Sequence, residues 1–209
     1  MHVFGLTGGI ATGKSTVAAR WRQRGLPVVD ADVLARLVVS PGSDALVEIA
    51  RLLGTGVLLD DGSLNRAVVA AKVFEEPVAR RALEAIVHPR VHLALQAELE
   101  LLRKRGNLIA CYEAPLLIEV GSQETYRPLV VVSSTPELQL RRAEQRDGTS
   151  AAALQARVAA QLPLAEKEAT ADYVILNNGS RQALLRQADH VLDSVCRRLG
   201  MSADILTQL

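Results

Sequence analysis

Aromatic residues are scarce, 3% of 209 with a single tryptophan, so the core has to be built from Leu, Val, Ala and Ile. Cysteine is nearly absent. Cys111 and Cys196 stand far apart without metal-ligand spacing and sit in apolar patterns, so both are expected as reduced core thiols in a cytoplasmic protein. Lysine is also rare: of 24 basic residues, four are Lys and the rest Arg. Guanidinium forks match phosphate oxygens bidentately, although an Arg-favouring genome would leave the same bias. Net charge is nearly missing, at +1, which argues against broad electrostatic capture of nucleic acid or acidic membrane. No apolar run approaches the ~18 uncharged residues of a membrane span; "NLIACYEAPLLIEV" is interrupted by Glu113. "MHVFGLTGG" carries neither a basic n-region nor a long h-region, so no secretory leader is expected.

Short apolar runs alternate with longer helical patterns. His2–Leu6, Pro27–Asp30, Asn107–Glu113, Leu129–Ser134 and Asp172–Asn177 read as buried parallel strands, rich in Val, Ile and Leu and bounded by turn or cap residues. Helices are predicted to begin near Lys14, Ala31, Ser43, Asn65, Pro77, Pro136, Ser150 and Ser180. Ser43, Ser150 and Ser180 can cap, while Pro77 and Pro136 suit a first turn. Pro89 should kink or split the long pattern that ends at Gly106. The alternation predicts one α/β domain with a five-stranded parallel sheet. Its core covers about 1–38, 106–146 and 171–209. Two helical segments exceed what the sheet needs, about 39–105 and about 147–170, and are expected as a substrate-binding insertion and a lid.

"GGIATGKS" satisfies the phosphate-loop pattern with Gly8, Gly13, Lys14 and Ser15, between an apolar strand and an amphipathic helix. Glycines let successive N–H groups point at phosphate oxygens, and the helix N-terminus adds its dipole. Lys14 is then the candidate for bridging β- and γ-phosphates, and Ser15 for Mg²⁺. No guanine-reading N-K-x-D, "DE" motor pair or transporter signature is present. A small-molecule kinase therefore explains more than a switch or motor.

An acceptor site belongs beside the loop, and "VVDADVLAR" is the candidate. Asp32 is expected to orient the attacking hydroxyl and Asp30 to cap a helix, while Arg36 shares the helical face of Asp32. Glu113 ends the third strand and either reaches the metal through water or is a solvated cap, as is Glu119. Arg142 and Arg146 share a helical face, as do Arg157 and Gln161 beyond Asp147-Gly148. Two basic helices around a glycine hinge are what a charge-neutralising lid needs. Asn177, Asn178 and Gly179 form a turn at the same sheet edge and are candidates for the nucleotide base. His88, before Pro89, packs or caps unless the acceptor binds nearby.

In chain order, "GLTGGIATGKST", "VVDADVLAR", "HPRV", "APLLIE", "LRRAEQRDG", "RVAAQLP" and "ADYVILNNGS" resemble the dephospho-CoA kinase family across nearly the whole chain. The resemblance implies a nucleoside-kinase-like P-loop NTPase fold with a helical CoA-binding insertion and a lid. It implies transfer of the ATP γ-phosphate to the ribose 3′-hydroxyl of dephospho-CoA, with Mg²⁺. Carried over, Ala11, Thr12, Gly13, Lys14, Ser15 and Thr16 line the ATP phosphates; Asp32 acts on the hydroxyl; Arg142 faces the phosphates. Thr7, Asp32, Arg36 and His88 are the acceptor-binding candidates. One departure stands out, since the family usually reads Gly-Ile-Gly-Ser-Gly-Lys where this chain has Ala11 and Thr12. Ala11 cannot take a positive φ cheaply, so the loop is expected to adopt a conformation an L-residue tolerates, with ATP affinity the property most affected. Other P-loop kinases with small hydroxylated acceptors, and a nucleotide-binding regulator without an acceptor, are the alternatives.

Overall fold

The computed structural model describes residues 1–147, 156 and 158–202. Two compact units emerge, one made of Met1–Val29 with Leu102–Leu209 and the other of Asp30–Leu101.

The first unit is built on a parallel sheet in the order β2-β3-β1-β4-β5. Its strands are β1 (His2–Gly8), β2 (Val28–Asp30, which reaches the second unit's first residue), β3 (Ile109–Glu113), β4 (Leu129–Ser133) and β5 (Tyr173–Leu176). The central β1 pairs with β3 on one side and β4 on the other. Helices α1 (Lys14–Gln23), α6 (Pro136–Asp147), α7 (Leu164–Thr170) and α8 (Arg181–Arg198) belong to this unit. Alternate strand residues, Phe4, Leu6, Ile109, Cys111, Val130, Val132 and Ile175, form one buried cluster with Trp21 of α1 and Leu184 and Leu192 of α8. That period of two is what a sheet face imposes. Trp21 is the largest side chain of this cluster: its ring centroid lies 5.5 Å from that of Phe4, and its indole N–H donates to Ala188 O at 2.9 Å. Both cysteines are buried and free.

The second unit holds α2 (Ala31–Val38), α3 (Asp44–Leu53), a 3₁₀ turn (Thr55–Val57), α4 (Arg66–Glu75) and most of α5 (Pro77–Lys104). Ser43 caps α3 through Leu46 N–H, and Asn65 caps α4 through Val68 N–H. Val39, Ala45, Ile49, Leu53, Val57 and Val69 form its own core. The unit begins at Asp30 and includes α2.

Two features differ from the sequence-based expectation. Pro89 does not split α5, which runs continuously through it. Next to it, the Arg90 guanidinium donates to Ile86 O and to Glu48, each at 2.7 Å. Helix α7 falls inside the segment expected as lid and was not foreseen, because "LAEKEAT" has no apolar stripe; its buried residue is Lys167. The helix start predicted at Ser150 and the hinge at Gly148 lie outside the described residues. No helix among the described residues is long and apolar enough to cross a membrane.

Candidate active site

The carboxyl ends of β1 and β3 are neighbours in a sheet whose strand order turns at β1, the position where open α/β sheets bind ligands. From β1 the chain enters the phosphate loop at Gly8, where a Cβ would lie 2.4 Å from Val132 O, so only glycine fits. Gly13 closes the loop as the left-handed N-cap of α1, with φ 98°. A Cβ there would meet Asn177 Nδ2 at 2.4 Å.

Ala11 does not avoid the glycine conformation; it stands at φ 54°, in the left-handed region. A conformation that an L-residue tolerates was expected there; the one observed is the left-handed region, which an L-residue enters at a cost. Neighbouring bonds fix the loop around it. Thr12 is fully buried, and its hydroxyl donates to Gly9 O at 2.9 Å. On one side Ile10 N–H donates to Gln161 Oε1 at 3.0 Å. On the other, Asn177 Nδ2 donates to Thr12 O at 2.8 Å.

Lys14 opens α1 and donates to Glu113 Oε1 at 2.8 Å. The Glu113 side chain is 2% exposed, and Arg22 lies 3.6 Å from its other oxygen. That oxygen, Oε2, has no hydrogen-bond partner among the described residues. Glu113 is therefore not the solvated cap it could have been, but a buried acid at the strand end nearest the loop. Beside it, burial and then the Glu113 charge push the Cys111 thiol well above its ordinary range, which keeps that sulfur uncharged and unreactive. Ser15 is exposed in the first turn of α1, and Thr16 N–H donates to Gly13 O at 3.0 Å. A hydroxyl and a carboxylate oxygen are the hard donors that suit Mg²⁺.

Arg142 projects from α6 to the ends of β4 and β5. Its guanidinium donates to Ser134 Oγ at 3.1 Å and to Asn177 O at 2.9 Å. Asn177 thus links Arg142 to the phosphate loop. Its side chain is buried and engaged with Thr12, so it supports the loop and offers no free amide to a base. Asn178, whose Oδ1 accepts from Thr135 N–H at 3.1 Å, and Gly179 remain exposed. Arg146 is exposed one turn beyond Arg142. Arg157 lies outside the described residues. Thr7 is fully buried, and its hydroxyl donates to Pro115 O at 3.2 Å, leaving it no surface for an acceptor in this structure.

Asp32, Arg36 and His88 belong to the second unit. Asp30 caps α2, accepting from Asp32 N–H at 2.8 Å and Val33 N–H at 3.4 Å. The cap leaves Asp32 exposed in the first turn, with Arg36 exposed four residues on. His88 is exposed on α5.

Sequence reasoning missed three supports. Fully buried Lys167 pairs with Glu119 Oε1 at 2.6 Å and donates to Pro115 O at 3.0 Å. Glu119 also accepts from Leu162 N–H at 3.1 Å. Buried Gln139 donates to Ser134 O at 3.3 Å. A charged residue in a polar helix reads as surface, and no local pattern marks it otherwise.

A phosphate loop facing an acidic strand end at the switch point of such a sheet defines the class: P-loop kinases of small molecules. Shikimate kinase from Acinetobacter baumannii shares the fold, at 18% identity and TM-score 0.50 over 95% of this chain and 94% of that one. More specific matches resolve the family. A family model described as dephospho-CoA kinase matches residues 2–183, and the chain belongs to that family. It is 52% identical to the dephospho-CoA kinase of Anaeromyxobacter dehalogenans, covering 92% of this chain and 91% of that one. The Geobacillus kaustophilus dephospho-CoA kinase is 46% identical, over 88% and 91%. Among solved structures, the Campylobacter jejuni dephospho-CoA kinase is 26% identical with TM-score 0.70, over 94% and 98%. Family membership makes the chain an ATP-dependent kinase of coenzyme A biosynthesis.

Proposed function

We propose that the chain transfers the ATP γ-phosphate to the ribose 3′-hydroxyl of dephospho-CoA, giving CoA and ADP in the cytoplasm. The observation carrying this reading is the glycine-closed loop whose Lys14 is held by buried Glu113, within a chain of the dephospho-CoA kinase family. ATP phosphates bind along Ala11 to Thr16, and Lys14 exchanges Glu113 for the β- and γ-phosphates. The 3′-oxygen forms a bond to Pγ while the β–γ bridging bond breaks. The hydroxyl proton passes to Asp32, and ADP leaves. Arg142, already positioned at the sheet edge, and Arg146 neutralise charge on the transferring group. Ser15 and Glu113 are the residues that would hold the shell of an ATP-bound Mg²⁺, which would supply further neutralisation.

Dephospho-CoA contacts fall to the unit Asp30–Leu101, where Arg36 and His88 are the exposed candidates. The segment 147–170 is the lid. The adenine base rests near Asn178 and Gly179. An ADP-release assay with dephospho-CoA, AMP, shikimate and gluconate tests the proposal. Turnover is expected with dephospho-CoA only; turnover with AMP or shikimate alone, or ADP release without any acceptor, would overturn it.

A further inference from the structure

The phosphate loop contains an L-residue, Ala11, at φ 54°. For a side chain with a Cβ that conformation is unfavourable, and it persists only where the surroundings over-determine it. Two side chains from distant parts of the chain grip the loop on either side of Ala11. Gln161 Oε1 accepts from Ile10 N–H at 3.0 Å, and Asn177 Nδ2 donates to Thr12 O at 2.8 Å. Thr12 is further tied to Gly9 O through its hydroxyl at 2.9 Å.

Gln161 is itself held. Its neighbour Leu162 donates to Glu119 Oε1 at 3.1 Å, and buried Lys167 fastens the same carboxylate at 2.6 Å. Lys167 also donates to Pro115 O, just beyond Glu113, at 3.0 Å. Leu164 packs under the loop, 3.3 Å from where a Cβ on Gly9 would be. In this structure the segment carrying Gln161 is tethered through Leu162 N–H to Glu119, a carboxylate that Lys167 also holds.

We propose that Gln161 is a positioning residue of the phosphate loop. With Asn177 it forms a clamp that keeps Ala11 left-handed, as a glycine would be without help, so that the loop's N–H groups stay aimed at phosphate. The Glu119–Lys167 pair anchors the Gln161 side of the clamp. Release of Ile10 lets Ala11 return to negative φ and turns the loop away from its phosphate-binding shape. A glycine has no such bias. Dependence on Gln161 is therefore specific to a chain with alanine at position 11.

The proposal rests on the loop being the ATP site, which ATP binding by the unaltered chain tests separately. The test is a cycle of four full-length proteins: unaltered, Gln161→Leu, Ala11→Gly and the double variant. Each is measured for KM(ATP), kcat and exchange of the Ile10 amide in the ligand-free state. Gln161→Leu should raise KM(ATP) roughly fivefold to thirtyfold, the fold-change matching the left-handed penalty of one L-residue. kcat should move much less. In the Ala11→Gly background the same substitution should raise KM(ATP) by no more than about twofold. Ile10 protection should fall with Gln161→Leu and survive Gln161→Glu, which keeps an acceptor oxygen. Should the leucine variant not fold, Gln161→Asn withdraws the acceptor by one methylene and serves in its place. Equal losses in both backgrounds would overturn the clamp, as would no loss in either. An unprotected Ile10 amide in the unaltered chain would do the same.

Discussion

Glu113 sits in a nearly closed environment, with Lys14 2.8 Å from one oxygen and Arg22 3.6 Å from the other. Removing one member of a buried pair leaves an uncompensated charge, which costs ~3–5 kcal/mol. With Arg22 as a partial substitute, Lys14→Ala should cost about 3 kcal/mol, read from denaturant unfolding, and abolish turnover. Adding Glu113→Gln should restore most of the stability and none of the activity. If the double variant is no more stable than the single one, the pair does not carry the loss. Asp32 makes the opposite prediction: it is exposed, so Asp32→Asn should leave stability and ATP binding intact while lowering kcat by about 10² or more, the scale of a general base. An unchanged kcat would remove Asp32 from the chemistry. Both carboxylates could be selected from the sequence by their strand-end positions. Their different burial could not, because it depends on which strands become neighbours.

The capping of α2 separates Asp30 from Asp32 at the level of the element. Two carboxylates two residues apart are chemically alike in sequence, yet Asp30 is bound to the first-turn N–H groups. Asp30→Ala should therefore lower stability by about 1 kcal/mol, with Asp30→Ser recovering it, and kcat should fall far less than with Asp32→Asn. Thermal melts alongside kcat would check the contrast, and a kcat loss as large as that of Asp32→Asn would contradict it. Helix α7 marks the limit of element-level reading. In "LAEKEAT" nothing distinguishes Lys167 from a solvated lysine; Glu119 and the Pro115 carbonyl turn it into a fully buried anchor. At Pro89, a split was one of the two outcomes expected, and α5 runs on through it instead. A proline predicts a break when only the backbone is counted, and the bond from Arg90 to Glu48 of α3 is invisible until helices pack.

At the scale of the whole molecule, Asp172 closes the amino edge of the sheet. It accepts from Leu129 N–H at 2.7 Å and from Arg127 at 2.8 Å, and it pairs with Arg198 beyond the sheet at 2.9 Å. Burial pushes its carboxyl up, but the Arg127 and Leu129 hydrogen bonds and both guanidinium charges hold it below the ordinary range. A depressed carboxyl contributes stability that is full above its unfolded pKa, ~3.9, and is lost as pH falls through the lower folded value. Asp172→Asn should therefore cost about 1–2 kcal/mol near neutral pH, at the low end for charged hydrogen bonds because the partners are partly solvated. The gap to the unaltered chain should close towards pH 3. Melting curves across pH 3–7 would check this, and a constant gap would rule out the ionised carboxylate as its source.

By itself the sequence determined the alternation of strands and helices, the phosphate loop, the caps at Ser43 and Ser180, and the family. These are local properties: the period of apolar residues, the φ preference of glycine and the reach of a capping oxygen act within a few positions of the chain. Only tertiary structure decided that Lys14 meets Glu113, that Arg142 is held by Asn177, and that Ile10 beside Ala11 is bound by Gln161. Those partners are 99, 35 and 151 residues apart in the case of the Lys14–Glu113, Arg142–Asn177 and Ile10–Gln161 bonds. Contacts over such separations are set by the order of strands in the sheet and by what remains buried between them, and no short-range preference encodes either.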